Sequence, residues 1–380
     1  MLLISVCTLL IWLILLYSNQ VKCVENGVTL GFKNEWRYSM SRTLFTAFVV
    51  VLILTSTVRH GFIDTYAYKI MYELSRDNLK YVYSEPWGVE NGWLLLMYFL
   101  NFITKNPIMI LFLTALLVNL AYSRISLIYS ADVPFSLFIY FSLYFMDTNN
   151  GMRQFFAAAL IILAYPLLMK KKYLWYAIIV LLASRLHKSA IFALLIAFVA
   201  IGKPFNKKVQ LALIAGVMFL LFPELGNTLL GDMFADSKYL SYLEIEEGFG
   251  MSFLRALITG IVPGVLAIIY LRRLNKAGMP CDKGVAVLFN VIIVNMCFTI
   301  MGLYMQYWGR FTFYTSYACV AMMPKLIYEV LGKNKKQYKI SKTLCIVAYA
   351  FFFIYNIYVN TQYGSIKDFY IDFDMILKGW

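Results

Sequence analysis

Cationic side chains stand at the ends of apolar segments in this 380-residue chain, where their types and spacing could support chemistry. These positions are Arg59 with His60, Arg153, Arg185 with His187 and Lys188, and Arg310. Guanidinium groups bind phosphate oxygens in pairs, and imidazole exchanges protons near neutral pH. The set is therefore suited to holding an anionic group and moving a proton beside it, with Arg59 and His60 as candidate binding residues.

Arg153 gives the most specific indication of a bound anion. Asn150 is a favoured N-cap residue, which would place Arg153 in the first turn of the next helix, where the helix dipole disfavours a cation. An anion held there by the guanidinium and by free backbone N–H groups would explain this position. Gln154 beside it is a candidate binding residue, and Arg310 is the candidate for a second ligand of the anion. The alternative for both arginines is a side chain that reaches lipid head groups.

His187 is the candidate general base. It is one of only two histidines in the chain, and Arg185 and Lys188 flank it. Neighbouring cations favour the neutral imidazole, which can accept a proton. We include the two cations among the binding residues. The alternative for His187 is a structural histidine that only makes hydrogen bonds.

Asp64 is a second candidate for proton transfer, because its carboxylate could orient or deprotonate a sugar hydroxyl. Tyr66 and Tyr68 would then offer aromatic surfaces for sugar rings, and Glu85 is a further candidate for binding polar groups. The alternative for Asp64 is an N-cap of an amphipathic helix over 64–82.

No pattern in the sequence indicates a metal site, a cofactor or a disulfide framework. The six cysteines lack metal-ligand spacing, and we expect free thiols at Cys7, Cys23, Cys281, Cys297, Cys319 and Cys345. Asp372 and Asp374 have the D-x-D spacing of metal-dependent sugar-nucleotide transferases, but we interpret them as part of a solvated tail. The sequence also lacks a phosphate-binding loop and a serine-nucleophile motif.

The elements that position these residues are membrane spans. Hydrophobic residues make up 61% of the chain, which is more than soluble domains usually contain. We predict an all-α, polytopic integral membrane protein with a single transmembrane domain over 1–380. Its twelve predicted spans are 2–18, 43–58, 107–123, 134–146, 153–169, 173–184, 189–201, 209–222, 253–271, 285–304, 310–328 and 341–359.

Charge divides the connections between spans into two sets. The basic set holds 21 of the 34 basic and 5 of the 20 acidic residues, and comprises 19–42, 124–133, 170–172, 202–208, 272–284 and 329–342 with Lys325. The other set comprises 59–106, 147–153, 185–188, 223–252, 305–310 and the tail 360–380. The positive-inside rule puts the basic set in the cytoplasm, so the candidate site faces outside. This asymmetry explains the net charge of +14 without a nucleic-acid partner.

Two segments do not fit ordinary spans. Residues 93–104 are apolar but would rise only about 18 Å as a helix, so we predict interfacial helices within the outer loop 59–106. Residues 173–201 are too long for one span, and a single helix would put the cations around His187 at the bilayer centre. We therefore predict two half-length helices that meet in a recess. A second outer loop covers 223–252.

The order of these residues resembles the EpsG family of exopolysaccharide and capsule membrane proteins, which are related to Wzy-type O-antigen polymerases. The similar region covers about residues 43–200. It contains Arg59-His60, Asp64, Tyr66 and Tyr68, Glu85-Pro86, Asn150-Gly151-Met152-Arg153-Gln154, and Ala183 to Ala190 around His187. Arg310 would be a later element of the same pattern.

The resemblance implies a metal-independent glycosyltransferase that polymerises undecaprenyl-diphosphate-linked oligosaccharide repeat units. The active site would face the periplasm or exterior from the bacterial cytoplasmic (inner) membrane. The implied fold is GT-C-like, that of lipid-linked-sugar glycosyltransferases, with interfacial helices in the first large outer loop. The implied partners are the lipid-linked donor and acceptor, membrane lipids, a flippase and a chain-length regulator. Arg153 and His187 match the family pattern, with Arg59, His60 and Asp64.

Other functions share part of this pattern. A ligase that moves finished glycan to another lipid, or another membrane glycosyl- or acyltransferase, would use similar residues. A flippase for a lipid-linked glycan would also need outer cations, but with a charged path through both leaflets. A non-enzymatic assembly partner would not need Arg153 at the start of a helix.

Overall fold

The computed structural model of the protein describes residues 38–60, 64–84, 88–222, 249–278, 281, 283–303, 306–332, 334–362 and 370–371. Several predicted features lie outside the described residues. They are the N-terminal span 2–18, Cys7, Cys23, Glu85, most of the loop 223–252, and the pair Asp372 and Asp374.

Helices form nearly all of the described chain. They are α1 (Arg42–Thr57), α2 (Thr65–Leu74), α3 (Leu79–Tyr83), α4 (Asn91–Leu100), α5 (Ile108–Tyr129), α6 (Val133–Leu143), α7 (Phe145–Asn150), α8 (Met152–Met169), α9 (Tyr173–Leu186), α10 (Phe192–Ala200), α11 (Lys207–Leu221), α12 (Phe249–Ala256), α13 (Val262–Lys276), α14 (Lys283–Met301), α15 (Gln306–Gly309), α16 (Ser316–Leu326) and α17 (Lys335–Gln362). Residues Lys188–Ile191 and Arg310–Tyr314 form 3₁₀ turns, and Leu257–Ile261 and Ile327–Leu331 form π-helical turns. Two short strands, β1 (Arg59–His60) and β2 (Tyr370–Ile371), pair in antiparallel orientation.

Five helical segments are long and apolar enough to cross a membrane, by length and composition. They are Ile108–Tyr129, Met152–Met169, Phe253–Lys276, Gly284–Met301 and Lys336–Tyr358. Each predicted span within the described part of the chain coincides with helical structure. The prediction of a helical membrane protein is confirmed, whereas the count of twelve spans stays a prediction.

The segment 173–201 divides into two half-length helices, as its length and charge predicted. Helix α9 ends at Leu186, and His187 is extended, with φ −156° and ψ 115°. A 3₁₀ turn then leads into α10. The break leaves backbone donors at the turn available, and one of them, the N–H of Lys188, binds a side chain of the candidate site.

Helices α2, α3 and α4 form a small core beside the main bundle. Tyr68, Tyr72 and Trp93 are buried there, and Trp93 packs edge-on against Tyr68 at 5.9 Å between ring centroids. The predicted helix over 64–82 is two helices, because Asp77 adopts a positive φ of 50° and Asn78 caps α3 by accepting from the Tyr81 N–H. This small core determines the direction from which α4 approaches α9.

A buried polar anchor joins three connections of the basic set. Asp132 is fully buried, and it accepts hydrogen bonds from the Tyr338 hydroxyl at 2.9 Å and from Lys342 at 2.6 Å. The Tyr38 ring stacks on Tyr338 at 6.1 Å, and its backbone pairs with that of Ala131 and Val133. The described residues of the connections 19–42, 124–133 and 329–342 therefore meet at one end of the bundle, as the charge pattern grouped them.

Polar groups inside the bundle bind one another, as a low-dielectric environment requires. At the π-helical turn, the carbonyl of Thr259 accepts from Asn295 at 3.0 Å and from the Tyr144 hydroxyl at 3.4 Å. The side chain of Asn295 in turn accepts from the Thr315 hydroxyl at 2.7 Å. This network fixes the residue that follows the 3₁₀ turn Arg310–Tyr314, and so supports the segment that carries Arg310.

Candidate functional site

Four elements meet at the end of the bundle opposite the Asp132 anchor. They are the start of α4, the first turn of α8, the break between α9 and α10, and the 3₁₀ turn Arg310–Tyr314. All four belong to the non-basic set of connections. The structure therefore brings Arg153, His187 and Arg310 to one place, as the sequence predicted.

Glu90 lies at the centre of this meeting point, although the sequence did not single it out. Its side chain is only 5% exposed. One carboxylate oxygen accepts a hydrogen bond from the guanidinium of Arg153. The other accepts from the backbone N–H of Lys188 at 2.9 Å and lies 3.2 Å from Nδ1 of His187. A single carboxylate thus joins α4, α8 and the α9–α10 break.

The predicted N-cap at Asn150 is wrong by one residue. Asn150 is the last residue of α7, which closes with the hydrogen bond from the Gly151 N–H to the Asp147 carbonyl at 3.2 Å. Gly151 is the cap residue of α8, so Arg153 still lies in the first turn of its helix. The anion that a cation at this position requires is present within the protein, since Arg153 pairs with Glu90.

His187 is buried, and its surroundings favour the neutral imidazole. Burial lowers the pKa of His187, and the charges of Arg153 and Arg310 lower it further, although Glu90 acts in the opposite direction. The sequence also predicted a neutral imidazole, but it attributed this state to the wrong cations. The nearby cations are these two arginines, whereas the side chains of Arg185 and Lys188 are exposed.

Asp64 lies at the exposed rim of the same site. It occupies the N-cap position of α2, as the alternative interpretation predicted, but its side chain makes no capping hydrogen bond. Burial raises the pKa of Asp64, and the charges of Arg153 and Arg310 lower it, which places both arginines within electrostatic reach of this carboxyl. Asp64 is therefore an exposed residue whose carboxylate the two arginines influence through their charge.

The two candidate tyrosines have different surroundings. Tyr66 is 71% exposed, so its ring is available to a ligand. Tyr68 is buried in the small core, where it packs against Trp93 and interacts with Arg153. Tyr68 therefore contributes to the wall of the site, and the prediction that its ring offers a surface for sugars is not supported.

Arg59 is buried behind the site, with 2% of its surface exposed. Its guanidinium donates to the carbonyl of Ser56 and to the Thr65 hydroxyl, and it contacts the sulfur of Met152 at 2.8 Å. These contacts favour a supporting role at the start of α8 over direct contact with a ligand. The backbone of His60 pairs with that of Tyr370.

Gln154 holds together two elements of the site. Its amide nitrogen donates to the carbonyl of Arg310 at 3.0 Å and lies 3.4 Å from the hydroxyl of Ser189. Ser189 also shares a hydrogen bond of 2.8 Å with the hydroxyl of Tyr314. Gln154 was predicted to bind substrate, but its buried amide instead ties the 3₁₀ turn of Arg310 to the α9–α10 break.

The sequence profile of the EpsG family matches residues 42–370. The chain belongs to the EpsG family. Family membership identifies it as a membrane protein of polysaccharide biosynthesis, and extends the similarity seen over residues 43–200 to most of the chain. Comparison with curated proteins and with solved structures gave no match.

Within the described residues of this EpsG-family protein, no group of three or more His, Cys, Asp or Glu side chains could hold a metal ion. Cys281, Cys297, Cys319 and Cys345 are free thiols, as predicted. The charged groups of the site are thus arginines, lysine and carboxylates around one imidazole, a set suited to binding oxyanions and moving protons.

Glu90, Ser189 and Tyr314 are the residues of this site that the sequence reasoning missed. A signal for Glu90 was available, because it is an acidic residue in the connection 59–106, on the same side as all four cationic clusters. Cations that gather at one end of a helical bundle require anions, and the protein's own carboxylates should be considered before a ligand is invoked. Ser189 and Tyr314 carried no such signal.

Proposed function

We propose that this EpsG-family protein is a polysaccharide polymerase that joins lipid-diphosphate-linked oligosaccharide repeat units. The observation that carries the proposal is the meeting of Arg153, Arg310 and Asp64 with a buried, neutral His187 at one end of a membrane bundle. Two arginines suit a diphosphate, and a base beside them suits deprotonation of a hydroxyl. This combination is what glycosyl transfer from a lipid diphosphate needs.

In the proposed reaction, a hydroxyl oxygen of the acceptor sugar attacks the anomeric carbon of the donor glycan. The bond between that carbon and the diphosphate oxygen breaks, and the lipid diphosphate leaves with the electron pair. Because the diphosphate is already a good leaving group, stabilising its charge is the main requirement. Arg310 and Arg153 supply that charge, and the exposed side chains of Arg185 and Lys188 extend it toward solvent.

The hydroxyl proton passes to His187 in this proposal, with Asp64 as the competing acceptor. A neutral imidazole can take the proton directly, and burial keeps His187 in that form. Asp64 is exposed at the rim, where it is better placed to orient the acceptor sugar beside the exposed ring of Tyr66. The arginines, rather than a metal ion, would carry the transition-state charge.

The wider setting is part of the same proposal. We propose twelve spans in one transmembrane domain with a GT-C-like arrangement, and two outer loops at 59–106 and 223–252. The site would face the periplasm or exterior from the bacterial cytoplasmic membrane. The lipid would be undecaprenyl diphosphate, and a flippase and a chain-length regulator would act beside the polymerase. The support is the charge asymmetry of the connections together with family membership.

The test is deletion of the gene in its host, followed by complementation and gel analysis of the surface polysaccharide. We expect the ladder to collapse to single repeat units, and wild type to restore it while Arg153→Ala and His187→Ala do not. Arg124→Ala is the matched control, because Arg124 is an exposed arginine of the basic connections. It should restore the ladder.

Other outcomes would replace the proposal. Polymer that accumulates on its lipid carrier would indicate a ligase, and complete loss of glycan would indicate a flippase. A ladder that is unchanged by deletion, and by Arg153→Ala, would refute the polymerase and leave the outer arginines as contacts to lipid head groups.

A further inference from the structure

We infer that Glu90 is the positioning residue of this site, which holds Arg153 and orients His187 so that its second ring nitrogen faces the substrate. The inference rests on the proposed function for the reaction it serves. It adds a role for a residue that neither the sequence pattern nor family membership assigned.

The contacts of Glu90 lie on two oxygens and serve three elements. Arg153 in α8 donates to one oxygen, and the N–H of Lys188 donates to the other at 2.9 Å. Nδ1 of His187 lies 3.2 Å from that second oxygen. Among the described residues Nδ1 has no aligned hydrogen bond, and such contacts commonly tighten when the substrate binds.

Only a carboxylate satisfies this arrangement. Arg153 and the Lys188 N–H are both donors, so each oxygen of residue 90 must accept. A glutamine would offer one oxygen and one NH₂ group, and the NH₂ would face a donor on either side. An aspartate would keep both acceptors but would be shorter by one methylene. Glu90→Gln therefore removes the charge and one acceptor oxygen, whereas Glu90→Asp keeps both and only shortens the side chain.

The orientation of the imidazole follows from the same geometry. With Nδ1 3.2 Å from an anion, the neutral ring carries its proton on Nδ1, and Nε2 is left as the acceptor. A histidine whose base nitrogen is set by a carboxylate on the other nitrogen is a recurring arrangement in general-base catalysis. Glu90 acts here through His187 and Arg153, without contact to the reacting atoms.

The charges around His187 determine how a substitution at Glu90 would change proton transfer. The imidazole of His187 is close to Arg153 of α8 and to Arg310 of the 3₁₀ turn after α15. Its own segment contributes the exposed cations Arg185 and Lys188. Glu90 is the anion that counters them. Without its charge the imidazole would face cations, and it would be protonated only at lower pH.

The experiment measures the pH dependence of kcat and KM for polymerisation by purified protein in lipid nanodiscs, with a lipid-diphosphate-linked repeat unit as the probe. For Glu90→Gln we expect kcat at pH 7 to fall at least tenfold with KM changed less than threefold. The acidic limb of the profile should move to lower pH. Glu90→Asp should recover part of the rate and the wild-type position of that limb.

A double substitution distinguishes positioning from a packing defect. Because Glu90 orients His187 but also holds Arg153, Glu90→Gln should add to His187→Ala clearly less than its separate loss, whereas independent effects would multiply. The folded fraction of each variant is measured by size-exclusion chromatography, and rates are expressed per folded molecule.

Two results would overturn the inference. One is a Glu90→Gln profile that keeps the wild-type shape with kcat within twofold of wild type. The other is full multiplication of the two losses. Failure of the proposed function looks different, because Arg153→Ala and His187→Ala would then polymerise normally. If those two variants are inactive while Glu90→Gln is normal, only the positioning role is wrong.

Discussion

Replacing Gly92 with alanine would test how closely α4 must approach α9. A Cβ atom on residue 92 would lie 2.8 Å from the carbonyl carbon of Arg185 and 2.9 Å from its Cβ, and closer still to its carbonyl oxygen. Carbon atoms pack at about 3.5–4.0 Å, so the two helices must separate by about 1 Å to admit the methyl group. No flexible side-chain end is available to move aside, because the nearest atoms are backbone.

That separation would act on the site two residues away. The hydrogen bond from the Lys188 N–H to Glu90 is 2.9 Å long, and an added distance of about 1 Å exceeds hydrogen-bonding range. The distance of 3.2 Å from Glu90 to His187 would grow in the same way. A misplacement of about 1 Å at a catalytic group can cost about 100-fold in rate. We therefore expect Gly92→Ala to lower kcat by about that factor.

The assay is the initial rate of polymerisation per folded molecule in nanodiscs, with Gly309→Ala as the matched control. Gly309 has helical φ and ψ of −57° and −29°, and a Cβ there would meet its nearest neighbour at 3.7 Å. Alanine should fit without displacement. A Gly92→Ala protein that is folded and retains more than half of the wild-type rate would refute the reasoning, because the α4–α9 spacing would then not govern the site.

Single contacts elsewhere in the bundle should have measurable effects on KM and on stability. Gln154→Leu removes the hydrogen bond from the side-chain amide to the Arg310 carbonyl, which is worth about 1 kcal/mol, so we expect KM for the lipid-linked donor to rise about fivefold; an unchanged KM would contradict this. Lys342→Met leaves the buried carboxylate of Asp132 without its cation, which should cost about 3 kcal/mol and lower the melting temperature in detergent, while the rate per folded molecule stays normal. Burial alone would raise the pKa of Glu90, but its contact with His187, the charge of Arg153 and the hydrogen bond from the Lys188 N–H lower it to about 2. The ionised carboxylate of Glu90 therefore contributes its full stabilisation above about pH 4.5, and this contribution is lost as the pH falls toward 2. The melting temperature of wild type should then fall more steeply across that range than the melting temperature of Glu90→Gln.

The helices were largely predictable from the sequence, because apolar runs and charge determine where a chain can cross a bilayer. The division of 173–201 at His187 followed from its length and from the cost of placing cations at the bilayer centre. The grouping of connections by charge agrees with the contacts at Asp132. These features depend on local composition, so they can be predicted without knowing which helices are neighbours.

The partners within the site were not predictable in the same way. Whether Glu90 meets Arg153 depends on the direction of α4, which is determined by the packing of Trp93 in the small core. Tyr66 and Tyr68 looked equivalent, but residues two apart lie on nearly opposite faces of a helix, so one is exposed and the other is buried. Tertiary packing decided each of these outcomes.

The half-length helix α9 has a consequence for the lipid around the protein. Its 14 residues rise about 21 Å, whereas the hydrocarbon core of a bilayer is about 30 Å thick. If α9 begins at one boundary, the turn at His187 lies about 9 Å short of the other, unless the bilayer thins beside it. Acyl-chain length would then set how far a lipid head group must descend to reach Arg153, and bilayer thickness becomes a variable that controls turnover without any change in the protein.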